Sequence, residues 1–257
     1  MKYYVVADIH GFFDELITAL DEKGFFSDTE PHKLIVCGDL FDRGTQALKL
    51  QEFILDLLAK DSMILIKGNH EDLTLELLNG WPKHSYLQYY HHTNGTIDTV
   101  LQLTKMTQDD LNRNPESVGR ELLQNPYIQT VIPAMLDYFE TPHYIFVHGW
   151  IPCTAINIAP HQTQYAYIDG WRNAHEKAWN RARWINGMEA AHGGVIDPGK
   201  TIICGHWHCS FGHAHYEGKG GEFDHDPDFT PYYGNGIIAL DACTVVSRKV
   251  NCIIIED

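Results

Sequence analysis

Leu34-Ile35-Val36-Cys37-Gly38-Asp39-Leu40-Phe41-Asp42-Arg43-Gly44 is the stretch that sets the reading of the chain. A run suited to a strand buried on both faces stops abruptly in two carboxylates and an arginine, with a glycine on either side. Inside a core such carboxylates are costly unless they are paired or hold a cation. At the carboxyl end of a strand in an open α/β sheet they are tolerated, because crevices and ligands lie there. The stretch predicts Asp39 as the central ligand of a two-cation site and Arg43 as the clamp for a phosphate.

The same grammar recurs along the chain. Residues 3–7 lead into Asp8-Ile9-His10-Gly11, and residues 63–66 into Lys67-Gly68-Asn69-His70-Glu71. Residues 144–147 lead into His148-Gly149-Trp150, and residues 201–204 into Gly205-His206-Trp207-His208. Each is a β-rich run followed by a turn that carries a metal-competent side chain. Between the first three runs lie helix patterns: Phe13, Leu16, Ile17 and Leu20 share a face, as do Leu50, Phe53, Ile54, Leu57 and Leu58. Another helix is expected over 71–78. Alternating strand and helix implies parallel neighbours joined by right-handed crossovers.

Beyond residue 79 the pattern changes. Pro82, Pro115, Pro126 and Pro133 interrupt segments that read as helical, among them 96–103 and 127–138. A mostly helical insertion over about 80–142, within a single domain spanning 1–257, is the expected organisation. A polar, tryptophan-rich helical region is expected over 169–191, a long loop over 209–233, and a closing pair of strands at 236–240 and 249–255.

Composition narrows the function classes. With 257 residues, 44% hydrophobic and 21% charged, the chain can bury a sizeable core. No run approaches the roughly 20 apolar residues of a membrane span. The opening Met1-Lys2-Tyr3-Tyr4 enters a strand directly, so a soluble, cytoplasmic protein without a membrane partner is expected. A net charge of −15 argues against a nucleic-acid-binding surface but not against an anionic substrate, since bound cations reverse the local field. The six cysteines form no CxxC pair and read as reduced core residues.

Asp8 and His10 alternate on an extended segment and so point the same way. A carboxylate beside an imidazole suits manganese, iron or zinc better than calcium. Asn69, His148 and His206 after further strands make an accidental set of turn residues improbable. His91 and His92 read as surface residues of the insertion, His213 and His215 as solvated loop residues, and the acidic run 222–228 as a solvated loop without EF-hand spacing.

Together, Asp8-x-His10, Gly38-Asp39-x-x-Asp42-Arg43-Gly44, Gly68-Asn69-His70-Glu71, His148-Gly149 and Gly205-His206-x-His208 resemble the calcineurin-like metallophosphoesterases. The Asp-Arg-Gly and Asn-His-Glu forms are similar to the phosphoprotein (serine/threonine) phosphatase branch and its bacterial members. The chain departs from that branch in Ala7, in Trp150 and in carrying His208. The resemblance implies an α/β fold with a central β-sandwich of mixed sheets flanked by helices. It also implies two divalent metal ions, manganese ahead of iron or zinc. Asp8, His10 and His208 would hold the first, Asn69, His148 and His206 the second, and Asp39 would bridge them. A metal-bridging hydroxide would attack in line, Arg43 and Asn69 would contact the phosphate, and His70, oriented by Asp42, would protonate the leaving group. A second phosphate-gripping arginine is expected from Trp179-Asn180-Arg181-Ala182-Arg183-Trp184, with Arg183 preferred to Arg181.

The function expected is hydrolysis of phosphate monoesters on protein, nucleotide or small molecule. The alternatives are a dinucleoside polyphosphate or phosphodiester hydrolase, and, in another class, a non-catalytic metal-binding interaction module.

Overall fold

A computed structural model describes residues 1–81, 89–159 and 162–257. The first sheet is built from β1 (Lys2–Val6), β2 (His32–Cys37) and β3 (Met63–Ile66), which run parallel in that order, with β11 (Cys252–Glu256) antiparallel on the outer side of β1. Helices α1 (Phe13–Glu22) and α2 (Ala47–Ala59) make the two crossovers, and α3 (Asn69–Gly80) follows β3 without a break.

The second sheet has five strands: β4 (Phe139–Glu140), β5 (Tyr144–Phe146), β8 (Thr201–Cys204), β10 (Ile237–Ala239) and β9 (Tyr232–Gly234), in that spatial order. Its three inner strands are parallel and both edges antiparallel. A hairpin of β6 (Cys153–Ala159) and β7 (Gln162–Tyr167) stands apart, and sequence patterning did not anticipate it.

Period-two alternation explains the layering. In β1 and β2, Tyr4, Val6, Leu34 and Val36 face α1 and α2 in one core, where Leu16, Leu20, Leu50 and Ile54 meet them. Tyr3, Val5, Ile35 and Cys37 turn the other way and pack on Phe146, Ile203 and Leu240 of the second sheet. A third core covers the outer face of that sheet with α8 (Glu176–Ala182) and α9 (Gly187–His192), through Trp179, Ala182, Met188 and Ala190. The strands are therefore apolar on both faces because each sheet is sandwiched. All six cysteines are free, and Cys37, Cys204, Cys209 and Cys252 are buried. Among the described residues, no helix is long and apolar enough to cross a membrane.

Between β3 and β4, the described residues form helices α4 (Tyr89–Thr93), α5 (Thr96–Thr104), α6 (Gln108–Arg113) and α7 (Pro115–Gln124), with a core of Ile97, Val100, Leu111, Val118 and Leu122. The helix expected over 127–138 is only a wide turn at Tyr127–Val131 and a tight one at Ile132–Ala134. Pro133 offers no backbone N–H to carry it further. The expected loop 209–233 begins instead with α10 (Cys209–Gly212) and a wide turn at His213–Glu217. The expected closing pair of strands does not pair: β10 joins β8 and β9, whereas β11 joins β1. A short α11 (Thr244–Ser247) separates them. Local apolarity predicts that a strand exists, but its partner is chosen by the sheet available to cover it.

Candidate metal centre and active site

The carboxyl ends of β1, β2 and β3 meet those of β5 and β8, and the chain leaves β1, β2 and β8 in strained turns. Asp8, His10, Asp39, Asp42, Arg43 and His206 all have φ between 50° and 73°, a region that side chains other than glycine seldom adopt. Such outliers persist only where the surroundings over-determine them, and they gather at sites of function. Gly38, at φ 83°, is a requirement rather than a convenience, because a Cβ there would collide with the His148 imidazole.

Asp39 is the hub. Its carboxylate lies with His10 and His70 in one cluster whose ligand atoms are all within 4.8 Å of one another, and with His148 and His206 in a second. Burial opposes its charge, but the surrounding imidazoles, His148 foremost, outweigh this and hold Asp39 below the usual carboxylate range. The first turn of α3 supports it: the His70 N–H donates to Asp39 Oδ1 at 3.1 Å. Glu71, fully buried, accepts from the N–H groups of Gly68, Asp39 and Leu40 at 2.7, 3.1 and 3.0 Å, which ties α3 to the turn after β2. Burial pushes Glu71 up to about 7.

The imidazoles are set for coordination. His10 Nδ1 lies 2.9 Å from the Phe41 carbonyl and His148 Nδ1 2.8 Å from the Cys37 carbonyl. A carbonyl only accepts, so each Nδ1 carries the proton and each Nε2 presents a lone pair. The third imidazole, His206, packs edge-on against the Trp184 ring at 5.9 Å. Burial lowers the pKa of all three, His206 to about 3, which keeps them neutral as ligands must be. His148 Nε2 then faces Asn69 Oδ1 at 2.7 Å and Asp39 Oδ1 at 3.4 Å. Three electron-pair donors converge without a proton between them, the arrangement a cation satisfies.

The charge balance points the same way. Asp8, Asp39 and Asp241 are buried together, and among the described residues Arg43 is the one lysine or arginine lining the cleft that Asp39 and Asp241 share with His10, Asn69, His70 and His206. Burial, then Asp241 and Asp39, push Asp8 well above its usual value, and burial raises Asp241 to about 6. Uncompensated carboxylates of this kind need a cation. The donor set of carboxylate, amide oxygen and neutral imidazole fits two divalent ions.

His70 stands apart from the other imidazoles. Its Nδ1 is 2.7 Å from Asp42 Oδ2, and its Nε2 is 3.4 Å from Arg43 Nη2. Burial alone would lower its pKa, but Asp39 and the hydrogen-bonded Asp42 raise it above the usual imidazole range. Asp42 is positioned in turn by α5: Thr96 Oγ1 donates to its Oδ2 at 2.9 Å, and Thr99 Oγ1 accepts from its backbone N–H at 2.8 Å. Sequence reading missed both threonines, since nothing local ties them to a turn more than 50 residues earlier. Arg43 is exposed at the cleft and makes no ion pair among the described residues, so its guanidinium is available to an anion.

Three of the expected site residues have surroundings that their expected roles did not include. Arg183 does not line the cleft. It is buried, with Nε 2.7 Å from Asp72 Oδ2, Nη1 2.7 Å from Asp137 Oδ1, and Nη2 on Asn180. Two carboxylates and an amide saturate its donors, while Arg181 beside it is exposed and also off the cleft. His208 lines the cavity, but its Nε2 meets Glu222 Oε1 at 2.9 Å and it joins neither cluster. Asp8 belongs to neither of the two clusters but is buried beside them, where its oxygens accept the His206 backbone N–H at 2.9–3.0 Å and keep further lone pairs. Among the other histidines, His91 is buried rather than superficial. His213 bridges Glu217 and the Thr230 carbonyl as a structural residue.

The comparisons with known proteins bear on this geometry. The family model for calcineurin-like phosphoesterases matches residues 1–210. The chain belongs to the calcineurin-like phosphoesterases. Its relatives include the asymmetrical bis(5'-nucleosyl)-tetraphosphatase PrpE of Bacillus velezensis, 26% identical over 119 residues that are 44% of this chain and 46% of the relative. The symmetrical bis(5'-nucleosyl)-tetraphosphatase of Buchnera aphidicola is 37% identical over 71 residues, 28% of this chain and 24% of the relative. The match thus spans about half, or less, of the length of these relatives. As a calcineurin-like phosphoesterase, the chain shares its fold with a putative diadenosine tetraphosphatase (TM-score 0.50, 15% identity, 98% of this chain and 88% of that one). It also shares it with a cold-active protein-tyrosine phosphatase from Shewanella (TM-score 0.50, 16% identity, 100% of this chain and 75% of that one).

Proposed function

We propose that this chain is a two-cation phosphohydrolase that moves a phosphoryl group from a phosphate monoester to water. The observation that carries the reading is Asp39, shared by two donor clusters that face Arg43 and the His70–Asp42 pair. Asp8, His10 and Asp39 would hold one divalent cation, and Asp39, Asn69, His148 and His206 the other, with manganese ahead of iron or zinc for this mixed donor set. When bound, the ions supply a water of lowered pKa and offset the charge of the phosphoryl oxygens. Arg43 grips those oxygens with its planar fork. His70 keeps a proton at Nε2 for the departing oxygen, and Asp42 at Nδ1 fixes the ring and its charge. The reading uses neither Arg183 nor His208.

A second substrate reading, hydrolysis of a dinucleoside polyphosphate, is supported by the names of the relatives, which are tetraphosphatases of this kind. The same residues would serve, with a nucleotide as the leaving group. The test is turnover of p-nitrophenyl phosphate, bis-p-nitrophenyl phosphate and diadenosine tetraphosphate in manganese, with Asp39→Asn as the blank. The wild-type chain is expected to turn over at least one of them, and Asp39→Asn to fall to background. An Asp39→Asn rate equal to wild type would overturn the reading.

A further inference from the structure

The cleft has a second property that phosphate chemistry does not require. Trp184, Phe223, Val245 and Val246 all line the cavity of about 460 Å³ that holds the donors, and they are 51%, 58%, 38% and 55% exposed. Large apolar side chains exposed together beside a charged site mark a surface that something covers.

Their arrangement is ordered. The Trp184 ring lies 5.9 Å edge-on from His206, and His206 lies 5.9 Å from Trp207. Trp207 stacks on His208 at 6.0 Å, and His208 lies 4.3 Å from Phe223. The hydrogen bond from His208 to Glu222 holds the 222–223 segment against this row. One wall is thus a line of five rings with an exposed aromatic side chain at each end, Trp184 next to the metal-competent His206 and Phe223 next to His208. Val245 and Val246 face the cavity from α11.

We infer that an exposed end of this wall, Trp184 or Phe223, gives the base of a nucleoside phosphate a face to stack on while its phosphate sits at Arg43 and the cations held around Asp39. The inference rests on the phosphohydrolase reading in its nucleotide form. Stacking on aromatic side chains suits a flat, uncharged, polarisable ring. Reach favours a nucleobase over the ring of an aryl phosphate. A phenol carries its ring directly on the ester oxygen, whereas Trp184 stands one ring beyond the donor His206, and Phe223 stands one ring beyond His208. A ribose between base and phosphate fills that interval.

The test isolates the base by equilibrium binding. AMP, ribose 5-phosphate and phenyl phosphate are titrated calorimetrically into manganese-loaded protein and into Trp184→Ala, Phe223→Ala and the conservative Trp184→Phe. AMP is expected to bind about tenfold or more tighter than ribose 5-phosphate, the usual benefit of one base on one aromatic face. That ratio should fall towards one in at least one of the alanine variants and, where Trp184 is the end used, recover in Trp184→Phe. Equal affinities of AMP and ribose 5-phosphate for the wild type would overturn the stacking, as would a tenfold benefit that survives both alanine variants. Phenyl phosphate matching AMP would overturn it in favour of an aryl-ester pocket. The phosphohydrolase reading fails separately, by absence of all turnover, and the AMP to ribose 5-phosphate ratio is read without turnover.

Discussion

At the scale of single residues, the site separates its histidines by what each Nδ1 touches. His10 and His148 point that nitrogen at a carbonyl, as the proposed neutral donors would, and His70 points it at Asp42, as the proposed acid would. The consequence is a sign that can be measured. Asp39 and Asp42 raise the His70 pKa against the lowering effect of burial, so the protonated form persists above the usual imidazole range. A step that needs this proton is fast below the raised pKa and lost as pH rises through it. Removing the Asp42 charge with Asp42→Asn should move that alkaline limb to lower pH, as read from kcat/KM for a phosphate ester with a poor leaving group. An unmoved limb would mean that another group supplies the proton. The stability contributed by the His70–Asp42 pair has the same sign: it is complete below the unfolded imidazole pKa and is lost as pH rises through the folded one.

Elements bring these residues to one point, and the two arginines of interest belong to different elements with different tasks. Arg43 follows β2 and stays exposed at the cleft. Arg183, at the end of α8, ties that helix to Asp72 of α3 and to Asp137 ahead of β4, and Lys67 adds a third bond to Asp72 at 2.6 Å. Removing one member of a largely buried ion-pair network strands its partners; with Asp137 about half exposed, we expect Arg183→Met to cost roughly 3 kcal/mol. Urea denaturation should show this loss, while the inhibition constant of inorganic phosphate is unchanged in the folded fraction. Arg43→Ala should do the reverse: it should leave the urea midpoint in place and weaken phosphate by about tenfold or more, the value of a charge-assisted bidentate contact. The two outcomes exchanged would restore Arg183 to the cleft. The helix α5 belongs in the same argument, since Thr96 and Thr99 couple it to Asp42 and hence to the proton on His70.

Across the whole molecule, two sheets are pressed together so that their strand ends pool negative charge where a core should be neutral. Folding therefore carries a penalty at Asp8, Asp39 and Asp241 that bound cations would relieve. Divalent metal at about a hundred times its Kd should stabilise the fold by about 2.7 kcal/mol. In a chain of this size that is a rise of roughly 5–10 °C in Tm. Differential scanning fluorimetry in manganese and after chelation would show the shift, and identical curves together with no metal in the purified protein would count against the centre. The candidate donors were legible in the sequence, because a buried strand that stops at Asp, His or Asn advertises its chemistry locally. So were the alternation that makes both faces of β1 and β2 apolar and the crossovers through α1 and α2. What only the tertiary structure decided concerns partners far apart in the chain. β10 and β11 look alike as isolated runs but are claimed by different sheets. Arg183 turns to Asp72 and Asp137 and satisfies its charge there rather than in the cleft, while His208 lines the cleft but turns its Nε2 to Glu222. Asp241, silent in the sequence after an ordinary strand, enters the site because the second sheet carries the end of β10 up against the end of β1. Composition and spacing dictate which atoms can bind a cation; which of them meet is set by the packing of one sheet on the other.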